Sequence, residues 1–426
     1  MIMNKSNVRS RIPTMTSKGG STPMPESGRM NAKEIKKVTV LGAGTMGHGI
    51  AQLAAQIGCS VMLQDVEERF LDSGLEKIKW SLGKLLEKKR IGQEQADLVL
   101  RRIGKTTDLK LAVSESDLVI EATPEVMELK KELFASVDAY APPDAILASN
   151  TSSLPIEEMA KATARPQNVV GMHFFNPPQL MRLVEIILGP QTAYWVAQTA
   201  TEFAKELGKE TISCKKYVPG FVVNNVLHAL GRVPMAMYVS GDATPEEIDS
   251  ALINKAGFPM GIFLLRDYSG IDVGYSVQKL FESHGYPPEP GSPLKKMAQE
   301  GRLGAKTGRG FYEWKEGQKP KIPVDAGKSI DITPIIASGV NAAAELIRLG
   351  VATREDIDKG IKLGLGFPEG ILEMGDEIGL DKLVESLSSF DETHGRKNRE
   401  LSPLLVGLVQ EGKVGKRTGK GFYNYP

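Results

Sequence analysis

The chain has 426 residues, enough for two or three domains, with 25% charged and 41% hydrophobic residues, the mix of an ordinary water-soluble globular protein. Its 53 basic and 52 acidic residues leave a formal charge of +1, which gives no global pull toward nucleic acid or an anionic membrane. Only two cysteines occur, Cys59 and Cys214; they exclude a disulfide framework and zinc-ligand spacing and fit a reducing, intracellular compartment.

Residues 1–33 are rich in Asn, Ser, Thr, Pro, Lys and Arg, lack hydrophobic periodicity and read as a disordered tail. They hold no apolar signal-peptide core. A transit peptide or an early start codon are the alternatives for this basic, acid-poor stretch, so a cytoplasmic location is expected with an organelle matrix left open. No apolar run approaches the ~18 residues that span a bilayer, so no membrane insertion is expected.

From Ile35 the segment IKKVTVLGAG reads as a buried strand running into a glycine turn, and TMGHGIAQLAAQIG as the helix that follows. CSVMLQD is a second strand ending in Asp65. Residues 67–90 form a long basic helix. LVIEAT (118–123) and AILASNTSS (145–153) are further strands, with a helix over about 125–140 between them. VVGMHFFNPP (169–178) is a strand and loop, followed by LVEIILG. Strands alternating with helices predict an α/β Rossmann domain over 34–216, a mostly parallel, doubly wound sheet.

After Tyr217 the pattern is helical, and it repeats. GDATPEEIDSALINKAGFPMGIFLLRDYSGID from Gly241 is echoed by GVATREDIDKGIKLGLGFPEGILEMGDEIGLD from Gly350, and the copies end in GAKTGRGFYEW and GKRTGKGFYNY. Two all-α domains related by internal duplication are predicted, over 217–316 and 330–426, with KEGQKPKIPVDAGKS as linker.

Gly42, Gly44 and Gly47 make a GxGxxG turn, with Ala43, Thr45 and Met46 between them, after a strand and at a helix start. Those glycines permit a tight turn, close approach of a pyrophosphate and close helix–strand packing, and the helix N-terminus favours the phosphates. Asp65 follows Gly42 at the end of the next strand, where a carboxylate holds the ribose hydroxyls and repels a 2′-phosphate. NAD is the expected cofactor.

An enzyme that oxidises an alcohol with NAD needs a group to take the hydroxyl proton, and histidine suits it. Of five histidines, His48 lies in the cofactor turn as a helix-surface residue, His284 in a loop-like stretch, and His228 and His394 show no obvious partner. His173 in GMHFFNPP sits at a strand end, where open α/β sheets bind ligands. Glu185, twelve residues on, can orient the imidazole if the two segments run antiparallel or loop back. SNTSS (149–153) brings hydroxyls to the same cleft.

With GAGTMG, SNTSSLPI, GMHFFNPP with LVEII, and CKKYVPGFVVNN in this order, the chain resembles the 3-hydroxyacyl-CoA dehydrogenase family from about Val38 to Trp314, and its last part matches the family's C-terminal domain a second time. The resemblance implies reversible NAD-dependent oxidation of an (S)-3-hydroxyacyl-CoA, of a short-chain kind such as 3-hydroxybutyryl-CoA, to the 3-oxoacyl-CoA. It implies His173 as base, Glu185 as its carboxylate partner, Ser152 on the reacting oxygen and Asn224 near the thioester. Glu125, Lys130, Ser152 and Lys306 match cofactor contacts, and Ser81 and Lys88 on the long helix match coenzyme A contacts, as Ser152 and Asn224 match substrate contacts. No metal is implied. Glu125 and Lys130 also read as plain surface charges, and Lys88 as part of a solvated basic run.

Placing Gly350 on Gly241 sets Thr333 opposite Asn224, and Arg417 matches Lys306. The second copy is therefore expected to be structural, packing on the first in place of a partner subunit. A monomer with this pseudo-dimer and a homodimer through another surface are both open, as is coupling to a separate enoyl-CoA hydratase. The rival readings are another β-hydroxyacid dehydrogenase, which would use a different base, and a non-catalytic, crystallin-like NAD-binding protein.

Overall fold

The computed structural model describes residues 30–289, 291–315, 318–394 and 400–426. Most of the expected tail, residues 1–29, lies outside the described residues. Folded structure begins earlier than Ile35. Asn31 caps a 3-10 turn over Ala32–Glu34, Ala32 is buried, and the Met30 carbonyl accepts the Thr199 hydroxyl at 2.7 Å.

Eight strands form one sheet: β1 (Lys37–Leu41), β2 (Ser60–Gln64), β3 (Ile103–Thr106), β4 (Leu118–Glu121), β5 (Ile146–Ser149), β6 (Val169–Phe174), β7 (Leu183–Ile187) and β8 (Glu210–Cys214). Their spatial order is β3-β2-β1-β4-β5-β6-β7-β8. Neighbours are parallel except β6 and β7, which are antiparallel. The central strands bury nearly every side chain, as sheets covered on both faces must. Seven helices accompany them: α1 (Gly47–Gln56), α2 (Glu68–Glu87), α3 (Gln93–Arg101), α4 (Leu109–Val113), α5 (Met127–Tyr140), α6 (Ile156–Ala160) and α7 (Tyr194–Glu206). Strands β3 and β8 leave little trace in the sequence, because both lie at the sheet edges and their mixed side chains, such as GKT and ETIS, carry no apolar run.

Among the described residues ten α-helices follow in two matching runs of five. The first is α8 (Val223–Ser240), α9 (Pro245–Ala256), α10 (Ile262–Ser269), α11 (Ile271–Ser283) and α12 (Leu294–Gln299). The second is α13 (Thr333–Arg348), α14 (Arg354–Leu365), α15 (Ile371–Ile378), α16 (Leu380–His394) and α17 (Pro403–Gln410). One device recurs in both. Asp249 on α9 accepts the amides of Phe263 and Leu264 at the start of α10 (3.0 and 2.8 Å) and the Tyr312 hydroxyl (2.9 Å). Asp358 on α14 does the same for Leu372, Glu373 and Tyr423 (2.8, 3.1 and 2.9 Å). Each aspartate presses on a glycine, Gly261 or Gly370, where a Cβ would stand 2.1 Å from its carboxyl carbon. Those contacts explain why Asp, Gly and Tyr recur at matching places in the repeat.

The second run packs on the first. Helix α13 lies along α8, close enough that a Cβ on Gly339 would meet Leu230 Cδ2 at 2.7 Å. The segment before α13 is tied down: Ser250 donates to the Pro323 carbonyl (2.7 Å) and Lys255 to those of Lys328 and Ile330 (2.9 and 2.6 Å). His394, for which the sequence offered no partner, has one across this contact, with Nε2 2.7 Å from Asp242 Oδ2. Its mate lies 152 positions away, beyond the reach of local pattern.

Candidate active site

Strand order reverses between β2-β1 and β4, and open sheets bind ligands at the carboxyl ends beside such a switch. The glycine turn sits there. Gly42 has φ +96°, and a Cβ on it would lie 2.7 Å from the Ala122 carbonyl oxygen. On Gly47 a Cβ would lie 1.7 Å from the Gly42 carbonyl oxygen. A Cβ on Gly44 would meet no protein atom within 4 Å, and Thr45 beside it is exposed. No side chain caps the N-terminus of α1, which starts after Met46, so its amide donors remain for an anion. Asp65 accepts the amides of Ala43 and Val66, both at 2.7 Å. That bracing leaves each carboxylate oxygen a second lone-pair direction. The turn therefore fits NAD. His48 is half-buried, not a plain surface residue; its Nδ1 lies 2.7 Å from the Gly44 carbonyl, and burial pushes its pKa down.

A second cluster forms at the ends of β4 and β5. Lys130, which by sequence also reads as a plain surface charge, is 1% exposed. Its Nζ lies 2.6 Å from Glu121 Oε1 and 3.4 Å from Glu125 Oε2. Glu121, which the sequence reading missed, also accepts the Thr123 amide and hydroxyl (both 2.6 Å) and the Ser149 hydroxyl (2.5 Å). A lone charge inside a strand gives no local sign that it will be neutralised from a neighbouring helix. Glu125 Oε1 gathers the SNTSS loop: the Thr151 hydroxyl (2.6 Å), the Ser152 amide (2.9 Å) and hydroxyl (3.2 Å), and the Ser153 hydroxyl (3.0 Å). Burial pushes the Glu125 carboxyl up, but Lys130 and these donors outweigh it and hold the pKa below the usual range.

The antiparallel pairing of β6 and β7 sets His173 directly opposite Glu185. His173 Nδ1 lies 2.6 Å from Glu185 Oε2. Glu185 is fully buried, and its other oxygen accepts the Val222 and Val223 amides at the start of α8, both at 3.1 Å. An ionised carboxylate donates nothing, so Nδ1 carries the proton and Nε2 is left as the acceptor. Phe175 and Phe221 flank the imidazole at 4.6 and 6.1 Å between ring centroids. Two braces were not foreseen. Asn150 accepts the Phe174 amide (2.8 Å), and buried Lys209, its pKa pushed down to about 8 by burial, donates to the Pro178 and Met181 carbonyls (2.6 and 2.8 Å) of the loop after His173.

A cavity of about 580 Å³ lies between the sheet and the helices. Met46, Glu125, Ser152 and His173 border one side, and Asn224 with helices α8, α10 and α11 the other. Gly364 and Leu365 at the end of α14 complete the wall from the second copy. His228 lines it too, stacked on Phe281 at 3.7 Å. Of the expected contacts, Lys130, Lys306, Ser81 and Lys88 are not on this wall. Lys306 pairs with Asp272 at 2.5 Å, and Arg417 pairs with Asp381 at the matching place of the second copy. Ser81 is half-buried on α2, and Lys88 is exposed just beyond its end.

The model of the 3-hydroxyacyl-CoA dehydrogenase NAD-binding domain matches residues 37–217, and that of the family's C-terminal domain matches 220–314 and again 333–425. The chain is 40% identical over 289 residues to the mitochondrial hydroxyacyl-coenzyme A dehydrogenase of Sus scrofa, covering 66% of this chain and 92% of that one. It is 28% identical over 461 residues to the 3-hydroxyadipyl-CoA dehydrogenase of Escherichia coli, covering 87% of this chain and 97% of that one. The crystal structure of 3-hydroxybutyryl-CoA dehydrogenase from Escherichia coli superposes with a TM-score of 0.80 at 27% identity, covering 89% and 99% of the two chains. With both halves of its fold matched and the helical half matched twice, the chain belongs to the 3-hydroxyacyl-CoA dehydrogenase family.

Proposed function

We propose that this NAD-dependent dehydrogenase oxidises (S)-3-hydroxyacyl-CoA with His173 as the general base. The observation that carries the reading is the buried His173–Glu185 contact of 2.6 Å at the cavity wall. Bound NAD supplies the hydride acceptor. His173 Nε2 takes the proton of the 3-hydroxyl, and the Ser152 hydroxyl donates to the same oxygen. Glu185 acts as a positioning residue: it holds the Nδ1 proton and stabilises the imidazolium that forms. Asn224 lies on the cavity wall and can donate to the thioester carbonyl. Glu125 and Lys130 set the SNTSS loop rather than meeting the cofactor directly, and contacts of Ser81 and Lys88 with coenzyme A require its nucleotide to reach α2. In the reverse direction the same groups return the proton, giving 3-oxoacyl-CoA reduction. A hydratase acting on 2-enoyl-CoA would supply the substrate.

The second helical copy acts as structural support that stands in for a partner subunit, since α13 occupies the face of α8. A single-chain mass of 46.2 kDa by light scattering is the expected result. Among the described residues no helix is long and apolar enough to cross a membrane. Two buried free cysteines favour the cytoplasm, and the mitochondrial relative keeps a matrix location open.

His173→Gln tests the base. It should keep NADH affinity by fluorescence titration and lose about 10²–10⁴-fold in turnover of acetoacetyl-CoA, the usual scale for a lost general base. Turnover near that of the parent enzyme would refute the assignment.

A further inference from the structure

Arg266 on α10 is a charge that the reaction does not use. Its side chain lines the cavity that His173 also lines. The guanidinium occupies a gap between two glycines: a Cβ on Gly231 of α8 would stand 2.8 Å from one of its nitrogens, and one on Gly274 of α11 would stand 3.8 Å from another. The charges already described at the site are matched. Lys130 has Glu121, Glu185 has His173, and Glu125 has Lys130 with three hydroxyls. Among the described residues the Arg266 guanidinium makes no hydrogen bond or ion pair, and Glu125, already saturated, is the only acid on the cavity wall.

The internal repeat shows that the fold does not need this charge. An offset of 109 residues relates Asp249 to Asp358 and Asp267 to Asp376. The same offset sets Arg266 against Gly375, Gly231 against Val340, and Gly274 against Leu383. In the second copy the spot is apolar and filled: Val340 and Leu383 are fully buried, and a Cβ on Gly375 would lie 3.0 Å from Val340 Cγ2. In the first copy, where the cavity is, both large apolar residues are glycine and the glycine is arginine. The exchange replaces a packed hydrocarbon contact with space and a planar donor fork. Leaving such a cation half-desolvated without a partner is unfavourable, whereas a carboxylate in the cavity would meet two parallel donors.

We propose that Arg266 anchors a carboxylate at the far end of the acyl chain, so that the preferred substrate class is a 3-hydroxyacyl-CoA with an anionic tail. This rests on the dehydrogenase reading of the same cavity. A phosphate of coenzyme A carries the same kind of charge, and the test separates the two. Reduction of 3-oxoadipyl-CoA and of 3-oxohexanoyl-CoA, equal in chain length and differing in the terminal carboxylate, is followed by NADH oxidation for the parent enzyme and Arg266→Leu. The parent should favour the carboxylated substrate by about 10- to 100-fold in kcat/KM, the scale of a charge-assisted hydrogen bond. The leucine variant should lose that preference and keep 3-oxohexanoyl-CoA turnover within about threefold. A parent that handles the neutral substrate equally well overturns the proposal. So does a variant that raises KM equally for both substrates, which assigns the arginine to coenzyme A. Turnover of neither substrate removes the dehydrogenase reading and the proposal with it. Should the variant fail to fold, inhibition of the parent enzyme by adipyl-CoA against hexanoyl-CoA reads the same preference.

Discussion

Glu185→Gln probes the site most sharply, because the substitution changes no shape and reverses one proton. The carboxylate accepts on both oxygens: the Val222 and Val223 amides on one, His173 Nδ1 on the other. A glutamine has one accepting oxygen and one donating amide. Turning its NH2 toward α8 would set three donors against each other in a fully buried place, at about 1–3 kcal/mol for each unmet group. The oxygen therefore stays with the two backbone amides and the NH2 faces His173. Nδ1 must then accept, the ring proton moves to Nε2, and Nε2 can no longer take a proton from substrate. The expected loss is on the order of 10³–10⁴-fold in kcat, the size seen when a histidine's buried carboxylate becomes an amide and the tautomer reverses. Turnover of acetoacetyl-CoA with NADH gives kcat, NADH fluorescence gives cofactor affinity, and thermal melting reports the fold. Cofactor affinity should stay unchanged while kcat falls at every pH, since the fault is a tautomer and not a shifted titration. A loss under about tenfold would refute the tautomer argument.

Three further outcomes follow from the same structure. Gly44→Ala should leave the melting temperature unchanged and weaken NADH binding, because its Cβ meets no protein atom within 4 Å and faces the pyrophosphate side; Gly47→Ala should destabilise the fold itself, its Cβ being 1.7 Å from the Gly42 carbonyl oxygen. Equal melting temperatures for the two variants would contradict the assignment of roles in the turn. Parallel assays with NADH and NADPH should favour NADH through Asp65, and comparable efficiency would contradict it. Burial pushes Asp358 up from 3.8 to about 6, so the folded state holds a proton that the unfolded chain has released. That contribution is fully present below 3.8 and is lost as pH rises through about 6. Asp358→Asn should therefore flatten the dependence of melting temperature on pH across this window, and an unchanged slope would argue against burial as the cause.

Legibility followed the range of the interaction. The glycine turn and Asp65 could be read because their spacing lies within one βαβ unit, where each residue answers a local need of backbone or phosphate. The repeat was legible for a related reason: the Asp249–Gly261 and Asp358–Gly370 contacts recur within each copy and hold the same residue types in both. The His173–Glu185 pair was half legible, since twelve residues of separation admit it but only the antiparallel register of β6 and β7 brings the side chains together.

The amino-acid order alone therefore determined the cofactor turn, the candidate base and the duplicated helical architecture, because period, spacing and repetition are properties of the chain itself. Tertiary structure decided the rest. Lys130 reads as an exposed helix charge until β4 places Glu121 beneath it. Lys306 and Asp272 form a pair only because separate helical segments bring them together. Arg266 looks like any helical arginine until α8 and α11 present glycines on either side and no acid. The energy of a charge depends on which neighbours replace its water, and those neighbours come from distant parts of the chain.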